Sequence, residues 1–361
     1  MAIPSDLNAV ASWLLRDLAA VQSSRQKRYG FDRAASAIFW LETPLTDVWT
    51  PTGLVPHVKG VGPSSLRVIN ELMATGGSPT VERAVDENGR RPDIEQRRAL
   101  RSRFLSRAAV RQVLSADGPG PAKRDCQGDF QMHTRWSDGA SSVTEMAEAC
   151  EARGYRYAAI TDHAHGLRIA RGMSMDAARQ QHREIERANS RRPSFRILKG
   201  IEANIDRDGR IDLTAAEARE FDLVLAAPHS ALRSTEDQTG RFLTAVSNPH
   251  VRVLAHPRGR MAGRRQGVVA DWDRVFIEAA HRGVVVEFDG DPSRQDLDFA
   301  IAARALAAGC LFAVDSDAHG PDELVYAETA LAHARLAGIP AERIVNCWPW
   351  ERVRDWLDAS R

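Results

Sequence analysis

The feature of this sequence that most constrains its fold is a recurring pattern, in which a short apolar run ends in an ionisable or amide side chain. The clearest copy spans residues 311–319 and ends in Asp317 and His319. In an extended strand, side chains at positions i and i+2 share one face, so we expect this carboxylate and imidazole to lie side by side. Six further runs end in the same way, in Gln131 and His133, His163, Glu202, His229, His256, and Glu287 with Asp289.

Segments of helical character separate these runs, and they include residues 142–153, 176–189, 271–282 and 296–308. Alternation of short β-branched runs with helices is typical of βα units around a parallel sheet. Seven such units predict a closed α/β barrel, finished by a helix at 350–357. Functional side chains in such barrels gather at the C-terminal ends of the strands, which here carry the ionisable residues.

Composition narrows the class of protein. No apolar run approaches the ~18 residues needed to cross a bilayer, and the N-terminus has no secretion-signal pattern, so we expect a cytoplasmic protein without a membrane partner. The four cysteines, Cys126, Cys150, Cys310 and Cys347, are far apart in sequence, which fits a reducing compartment and argues against a thiolate zinc site. Residues 1–124 hold 18 Lys and Arg against 12 Asp and Glu, which indicates either an anionic polymer as partner or ordinary scatter of surface charge.

The N-terminal part reads as helical. An apolar stripe at 6–22 and a second at 31–41 precede a tight turn, Lys59-Gly60-Val61-Gly62, which Pro63 and a further apolar stripe follow. A glycine turn that opens a helix exposes backbone N–H groups that suit a phosphate, although it can also be a plain connection between helices. The whole pattern resembles the helix–hairpin–helix motif that binds the DNA backbone, with Lys59 standing where that motif usually has proline.

Residues 90–111 contain eight arginines, and a Gly/Pro-rich stretch follows them. The arginines are either a solvated helix face or a surface that contacts DNA. The Gly/Pro-rich stretch marks a linker. We therefore predict a helical DNA-binding domain at 1–115, a linker at 116–124 and the barrel at 125–361.

The strand-end residues predict a metal centre. A single buried histidine is more often a packed core residue than a ligand. Burying many ionisable groups together is costly unless cations pair with them, and imidazole and carboxylate suit divalent zinc, manganese or iron. The set comprises His133, Asp138, His163, Glu202, His229, His256, Asp317 and His319. For Glu287 and Asp289, hydrogen bonding and ligation both remain open, and the other six histidines are interpreted as bystanders.

Residues 125–361 resemble the polymerase-and-histidinol-phosphatase (PHP) domain, in the form that ends bacterial family X DNA polymerases. The resemblance lies in the stretches 129–139, 154–163, 198–202, 256–260, 294–297 and 315–319. Residues 1–85 resemble the helical domain of the same polymerases, but the polymerase palm is missing. The resemblance implies a distorted seven-stranded barrel that holds up to three metals.

Positions carried over from the family assign the ligands. The first metal takes Gln131, His133, Glu202 and Asp317, the second takes Glu202, His229 and His256, and the third takes Asp138, His163 and His319. Gln131 departs from the family, which usually has histidine there. Because a neutral amide oxygen is a poor ligand beside an imidazole, we expect a weakened first metal.

The expected function is metal-dependent hydrolysis of DNA phosphodiesters, as a 3′–5′ exonuclease in DNA repair, with DNA bound through its backbone. Glu202 and Asp317 are the expected catalytic metal ligands, and Asp162 could orient a neighbouring ligand. Arg260, with Arg258, either holds the substrate phosphate or belongs to a solvated loop. Two alternatives stay open: a phosphatase for a small phosphate monoester, and a DNA-binding relative without catalysis. Protein partners are not indicated.

Overall fold

The chain divides into two compact units. The structure is a computed structural model that describes residues 6–118 and 120–359, so residues 1–5, 119 and 360–361 of the predicted ranges lie outside it. One unit comprises residues 1–116 with 262–264, and the other comprises the remaining residues. The division falls at the start of the predicted linker. Among the described residues, no helix is long and apolar enough to cross a membrane.

The first unit is helical, as expected. Asp6 and Ser24 accept hydrogen bonds from the first turns of the helices that follow them, which satisfies N–H groups that a helix start otherwise leaves open. A minimal two-stranded ribbon, β1 (Trp49–Thr50) and β2 (Gly53–Leu54), interrupts the helices. The helices are α1 (Leu7–Ala20), α2 (Arg25–Phe39), α3 (Leu45–Val48), α4 (Pro63–Thr75), α5 (Pro79–Glu87), α6 (Arg91–Leu100) and α7 (Arg107–Ser115).

The arginines of residues 90–111 act mainly within this unit. Arg98 binds Asp17 at 2.7 Å and Glu82 at 2.6 Å, which joins α6 to α1 and α5. Arg101 also pairs with Asp17, whose side chain is buried. Further ion pairs form at Arg90, Arg91, Arg97, Arg107 and Arg111. Most of these guanidinium groups therefore neutralise carboxylates of their own unit, an arrangement that neither the solvated face nor the DNA-contacting face anticipated.

The second unit is the predicted barrel. Seven parallel strands hydrogen-bond in chain order, and a parallel bridge between Met132 and Ala318 brings the first and last strand regions together, so the barrel is nearly closed. The strands are β3 (Gly128–Asp129), β4 (Tyr157–Ile160), β5 (Arg196–Asn204), β6 (Leu223–Ala227), β7 (Val253–Leu254), β8 (Val285–Asp289) and β9 (Phe312–Asp315). The helices are α8 (Val143–Ala152), α9 (Met175–Ser190), α10 (Ala215–Ala218), α11 (Thr239–Val246), α12 (Trp272–Arg282), α13 (Phe299–Ala307), α14 (Ala327–Leu336) and α15 (Trp350–Asp358).

Strand alternation sorts the barrel side chains into two layers. On β6, Leu223, Leu225 and Ala227 belong to one apolar cluster, whereas Val224 and Ala226 belong to another. The first cluster also includes Phe130 and Tyr157, whose rings stack at 5.4 Å, together with Val353 and Leu357 of α15. Two residues past the end of β6, the next position of the same parity is His229. The same period of two leads from apolar residues to His163, just after β4, and to Glu202 on β5 and Glu287 on β8.

Two of the four free cysteines are neighbours in space. Cys126 and Cys347 are 221 positions apart, yet their Sγ atoms lie 3.8 Å from each other. Among the described residues, the groups that could hold a metal contain no cysteine. The separation of the cysteines in sequence did not reveal this contact.

Candidate metal centre

Glu202 lies at the centre of the site. Its fully buried carboxylate meets four imidazoles: Oε1 lies 2.8 Å from Nε2 of His256 and 3.2 Å from Nε2 of His229, and Oε2 lies 2.9 Å from Nδ1 of His163 and 3.5 Å from Nε2 of His133. Burial opposes ionisation of Glu202, but the imidazoles of His163 and His229 outweigh it and hold the pKa of its carboxyl well below the ordinary value. An anionic carboxylate with different neighbours at each oxygen is suited to bridging two cations.

Asp138 forms a second cluster with three imidazoles. Its Oδ1 lies 3.5 Å from Nε2 of His319, 3.6 Å from Nε2 of His163 and 4.0 Å from Nδ1 of His133. The ring of His133 stacks between those of His163 and His319, at 4.4 and 4.5 Å. Burial opposes ionisation of Asp138, yet the surrounding imidazoles lower the pKa of its carboxyl to about 2.

The spacing of these atoms fits divalent cations. Zinc binds nitrogen and oxygen at about 2.0–2.2 Å, so two of its ligand atoms in a tetrahedron lie ~3.3–3.5 Å apart. The separations around Asp138 are longer than ordinary hydrogen bonds and close to that edge length. Nδ1 of His133 and Oε2 of Glu202 are also buried without a hydrogen bond. A bound cation would give these charged side chains and their unpaired atoms a partner.

The clusters around Glu202 and Asp138 share more residues than the predicted ligand sets of the separate metals do. His133 turns Nε2 toward Asp317, at 3.0 Å, and Nδ1 toward Asp138. His163 likewise faces Asp138 with one nitrogen and Glu202 with the other. The structure thus brings all nine predicted ligands into one site, while the division of those ligands among three ions stays a prediction.

The backbone departs from strand geometry at two of these positions. Strand β9 ends at Asp315, and Asp317 has φ of +53°. The pairing of Asp317 with His319 in an extended strand was therefore predicted for the wrong reason, because His319 turns back and its Nδ1 lies 2.9 Å from the carbonyl oxygen of Asp317. His256 has φ of +25°, and its N–H donates to Glu287 at 2.7 Å. Strained backbone of this kind persists only where surrounding contacts hold it.

Gln131 points into the site, as strand alternation predicted. Its side chain is fully buried between Glu287 and Asp317. The amide orientation that satisfies the hydrogen bonds places the nitrogen on Glu287, with Oε2 at 2.9 Å. The other end of the amide then presents its carbonyl oxygen 3.4 Å from Oδ1 of Asp317. Two acceptor oxygens that face one another in this way suit a shared cation, so Gln131 is placed to act as an oxygen ligand.

Buried carboxylates that are not predicted ligands hold the predicted ligands and their loops in place through hydrogen bonds. Asp162 accepts hydrogen bonds from Thr134 N at 2.8 Å and Ser137 N at 3.1 Å, which holds the loop that carries Asp138. Asp315 accepts from Phe130 N at 2.7 Å. Burial, with the nearby charges of Asp315 and Asp289, raises the pKa of Glu287 well above its ordinary value. Its contacts with the His256 N–H and the Gln131 amide position both residues, which favours the hydrogen-bonding alternative for Glu287.

The guanidinium of Arg260, which was predicted to hold substrate phosphate, is committed to protein partners. Its guanidinium is buried, donates to the carbonyl oxygens of Arg294 and Gln295, and pairs with Asp298 at 3.1 Å. Arg258 binds the same Asp298 at 2.9 Å. Because every guanidinium nitrogen of Arg260 has a partner, this side chain fixes the loop instead. The sequence could not reveal this, since Asp298 lies 38 positions away and also caps α13.

Arg294 is the cation at the metal centre that sequence reasoning did not single out. Its Nη1 lies 2.6 Å from Oδ2 of Asp317 and 3.4 Å from Oδ2 of Asp289, and its side chain keeps 23% of its surface exposed. Burial opposes its charge, but Asp317 and Asp289 raise its pKa above the ordinary value. Its position in one of the stretches that resemble the PHP domain was the available signal.

The predicted DNA-binding turn lies in the other unit. Lys59 and Gly62 are exposed, Gly60 has φ of +100°, and Gly62 is the N-cap of α4. The helix before the turn is a single turn, α3, and the β1–β2 ribbon follows it. The second helix of the predicted motif is therefore complete and the first is reduced, so the role of residues 59–62 stays a prediction.

Comparison with known proteins places this centre in a family. The family model described as "PHP domain" matches residues 129–262. A probable phosphatase of Proteus mirabilis (strain HI4320) is 30% identical over 244 residues, which cover 64% of this chain and 94% of that protein. The chain belongs to the PHP domain family. PHP domain proteins are metal-dependent hydrolases, and the clustered imidazoles and carboxylates are consistent with that membership.

Other relatives of this PHP protein are named either as a DNA polymerase with exonuclease activity or as phosphatases. The DNA polymerase/3′-5′ exonuclease PolX of Bacillus subtilis (strain 168) is 38% identical over 232 residues, 64% of this chain, and the match spans only 41% of that relative's length. A probable phosphatase of Thermoanaerobacter sp. (strain X514) is 28% identical, over 60% of this chain and 89% of that protein. A zinc-bound histidinol phosphate phosphatase from Lactococcus lactis aligns with a TM-score of 0.41 and 15% identity, over 57% of this chain and 92% of that one.

Proposed function

We propose that this chain is a divalent-metal-dependent phosphoesterase that hydrolyses DNA from its 3′ end. The observation that carries the proposal is the Glu202 carboxylate, which four imidazoles surround and which Asp317 and Asp138 flank within the same site. The match to the Bacillus polymerase and 3′-5′ exonuclease supports DNA as the substrate.

Divalent ions at this centre would polarise a phosphoryl oxygen and neutralise the charge that develops on phosphorus. Gln131, His133, Asp138, His163, Glu202, His229, His256, Asp317 and His319 would hold them. Asn204 fixes the ring of His229, because its Oδ1 lies 2.6 Å from Nδ1 and leaves Nε2 directed at Glu202. Such partners set the tautomer and orientation of a histidine ligand.

Arg294 would contact the substrate phosphate. It is bound to Asp317 and still partly exposed, whereas Arg260 is committed to the loop. A guanidinium presents several N–H donors in a fork, so Arg294 can keep its bond to Asp317 and donate to a phosphoryl oxygen at the same time. Its charge would stabilise the phosphate in the transition state more than in the substrate, since negative charge grows as the reaction proceeds.

The helical unit would add backbone contacts to DNA. Lys59 and the turn Gly60-Val61-Gly62 precede the N-terminus of α4, where backbone N–H groups and the helix dipole favour phosphate. Such contacts carry no sequence information, so binding through them should be independent of base sequence and sensitive to salt.

The deciding experiment compares substrates. Purified protein, with its metal content measured, is incubated in manganese with single-stranded DNA labelled at its 5′ end, and separately with a chromogenic phosphate monoester. We expect stepwise shortening of the DNA from its 3′ end. DNA that stays intact while the monoester is hydrolysed would contradict the proposal.

The second candidate is a phosphatase for a small phosphate monoester. The relatives from Proteus mirabilis and Thermoanaerobacter, both named probable phosphatases, favour it. Hydrolysis of the monoester alone is its expected result in the same experiment. Protein that binds metal and DNA but hydrolyses neither substrate would favour a non-catalytic relative.

A further inference from the structure

A cleft with a volume of about 670 Å³ lies beside the metal centre, and His229 forms part of its wall. Three loops contribute to it. The loops follow β5, β6 and β7, the strands that contain Glu202 or lead to His229 and His256, so the cleft opens at the C-terminal face of the barrel, where the predicted ligands are. Its volume falls within the range of ~300–1,000 Å³ that is typical of ligand sites.

The charge of the cleft is positive. Arg207, Arg233, Arg241 and Arg265 line it, against the two acids Glu236 and Asp237. The carboxylate of Asp237 is engaged within its own loop, because its Oδ1 accepts hydrogen bonds from N and Oγ1 of Thr239. Arg207 and Arg233 are exposed and make no hydrogen bond or ion pair with any residue that the structure describes. Two uncommitted guanidinium groups therefore stand beside a predicted metal ligand.

Arg241 makes the floor of the cleft rigid. Its buried guanidinium donates to the carbonyl oxygens of Asp206, at 2.7 Å, and Ser230, at 2.9 Å, and to Oε1 of Gln238, at 2.7 Å. These bonds tie the turn that carries Arg207 to the loop that carries Arg233. The two exposed arginines are thus mounted on backbone that is held in place, so less of their binding energy is spent on ordering the loops.

We propose that this cleft binds the sugar–phosphate backbone of a single-stranded polynucleotide next to the phosphate under attack, through Arg207 and Arg233. The inference rests on the proposed function and extends it, since a small monoester needs no second phosphate site. Apart from His229, no aromatic ring is among the residues that line the cleft within the described chain, so the bases have no stacking platform there. Recognition is therefore of the backbone, and independent of sequence.

The test uses the full chain with its metals and a single-stranded oligonucleotide whose 3′-terminal linkage is a phosphorothioate, which slows hydrolysis during titration. Each phosphate contact on a single strand contributes ~0.7 to the slope of log affinity against log salt. The double variant Arg207→Ala, Arg233→Ala should lower that slope by about 1.4. Counted from a reference of about 1 M salt at which the two contacts add nothing, this corresponds to about 25-fold weaker binding at about 0.1 M salt. Because a phosphate contact carries no base information, the loss should be the same for different base sequences.

Arg210→Ala is the matched control. Arg210 is exposed and belongs to the same turn as Arg207, but it pairs with Asp206 and Asp208 and does not line the cleft. We expect wild-type binding for this variant. In steady-state assays, the double variant should lose more kcat/KM toward an ordinary oligonucleotide than toward a chromogenic phosphodiester, through a raised KM.

The outcomes separate the two proposals. Wild-type affinity and salt slope in the double variant would refute the cleft while leaving the proposed function intact. Equal losses toward the oligonucleotide and the chromogenic diester would also refute it, because the arginines would then support the metal centre. If the wild-type protein neither binds nor shortens the oligonucleotide but hydrolyses a phosphate monoester, the proposed function fails, and the cleft proposal fails with it.

Discussion

Replacement of Gln131 by histidine tests how this chain holds its first metal. The Gln131 amide nitrogen donates to Glu287, and its carbonyl oxygen faces Asp317. Histidine can reproduce this arrangement, with one ring N–H on Glu287 and the other nitrogen directed at the ion. Glu287 already accepts from the His256 N–H and meets the Gln131 amide, so it is placed to orient the new imidazole.

The expected size of the effect follows from that replacement. Loss of a hydrogen-bond partner of a metal ligand typically costs ~10–100-fold in metal affinity or activity, and we expect an exchange of the ligand itself to have an effect of at least this order. The position is fully buried, and the remaining predicted ligands of the first ion are unchanged. We therefore expect the affinity of one ion to rise by about 10–100-fold in Gln131→His, which is about 1.4–2.7 kcal/mol.

The assay is metal stoichiometry against free metal concentration, for zinc and for manganese, with the hydrolysis rate measured on the same samples. Gln180→His, on the exposed surface of α9, is the matched control, because it adds a histidine away from the centre. Gln131→His in a Glu287→Gln background should show a smaller gain, since the carboxylate that orients the imidazole is gone.

A specific result would refute this reasoning. If Gln131→His folds but binds every ion with wild-type affinity, then the amide oxygen is as good a ligand as imidazole here, or the first ion is not bound through this position. An equal gain in the Glu287→Gln background would show that Glu287 does not orient the side chain.

Three further outcomes are expected. Asp317→Ala should lose at least one bound ion and at least about 100-fold in hydrolysis rate, since it removes a direct ligand, and wild-type metal content would disprove its assignment. Gly62→Val should weaken salt-sensitive DNA binding, and it should not unfold the protein, because the new side chain would meet open space. Gly77→Val, whose side chain would also meet open space, should leave DNA binding unchanged. Equal binding by both variants would argue against the predicted DNA-binding turn. Burial, with the charge of Arg260, lowers the pKa of His333 to about 3, so the unfolded chain binds a proton there below about pH 6.5 and stability falls as the pH falls. Between pH 7 and pH 5 the wild type should lose about 2 kcal/mol more unfolding free energy than His333→Gln in denaturant titrations, and parallel losses would contradict this.

Local periodicity accounts for what the sequence could determine by itself. Apolar residues at every second position of a strand must face one layer, and the next residue of the same parity must then face the barrel interior. That rule places His163, Glu202 and His229 correctly, because it needs only the direction of the strand. The helices between the strands are equally local, since an amphipathic stripe and a capping residue such as Ser142 define them within a few turns.

Contacts between distant segments were decided only by the tertiary structure. Arg258 and Arg260 follow a predicted ligand and resemble a phosphate site in sequence, but packing presents Asp298 to both. Cys126 meets Cys347 because the start and the end of the barrel domain come together. Asp317, whose backbone is left-handed, meets His133 and Arg294 from distant segments of the chain. Sequence spacing restricts the direction of a side chain along its own element, whereas its partner is chosen by the packing of elements that lie far apart in the chain.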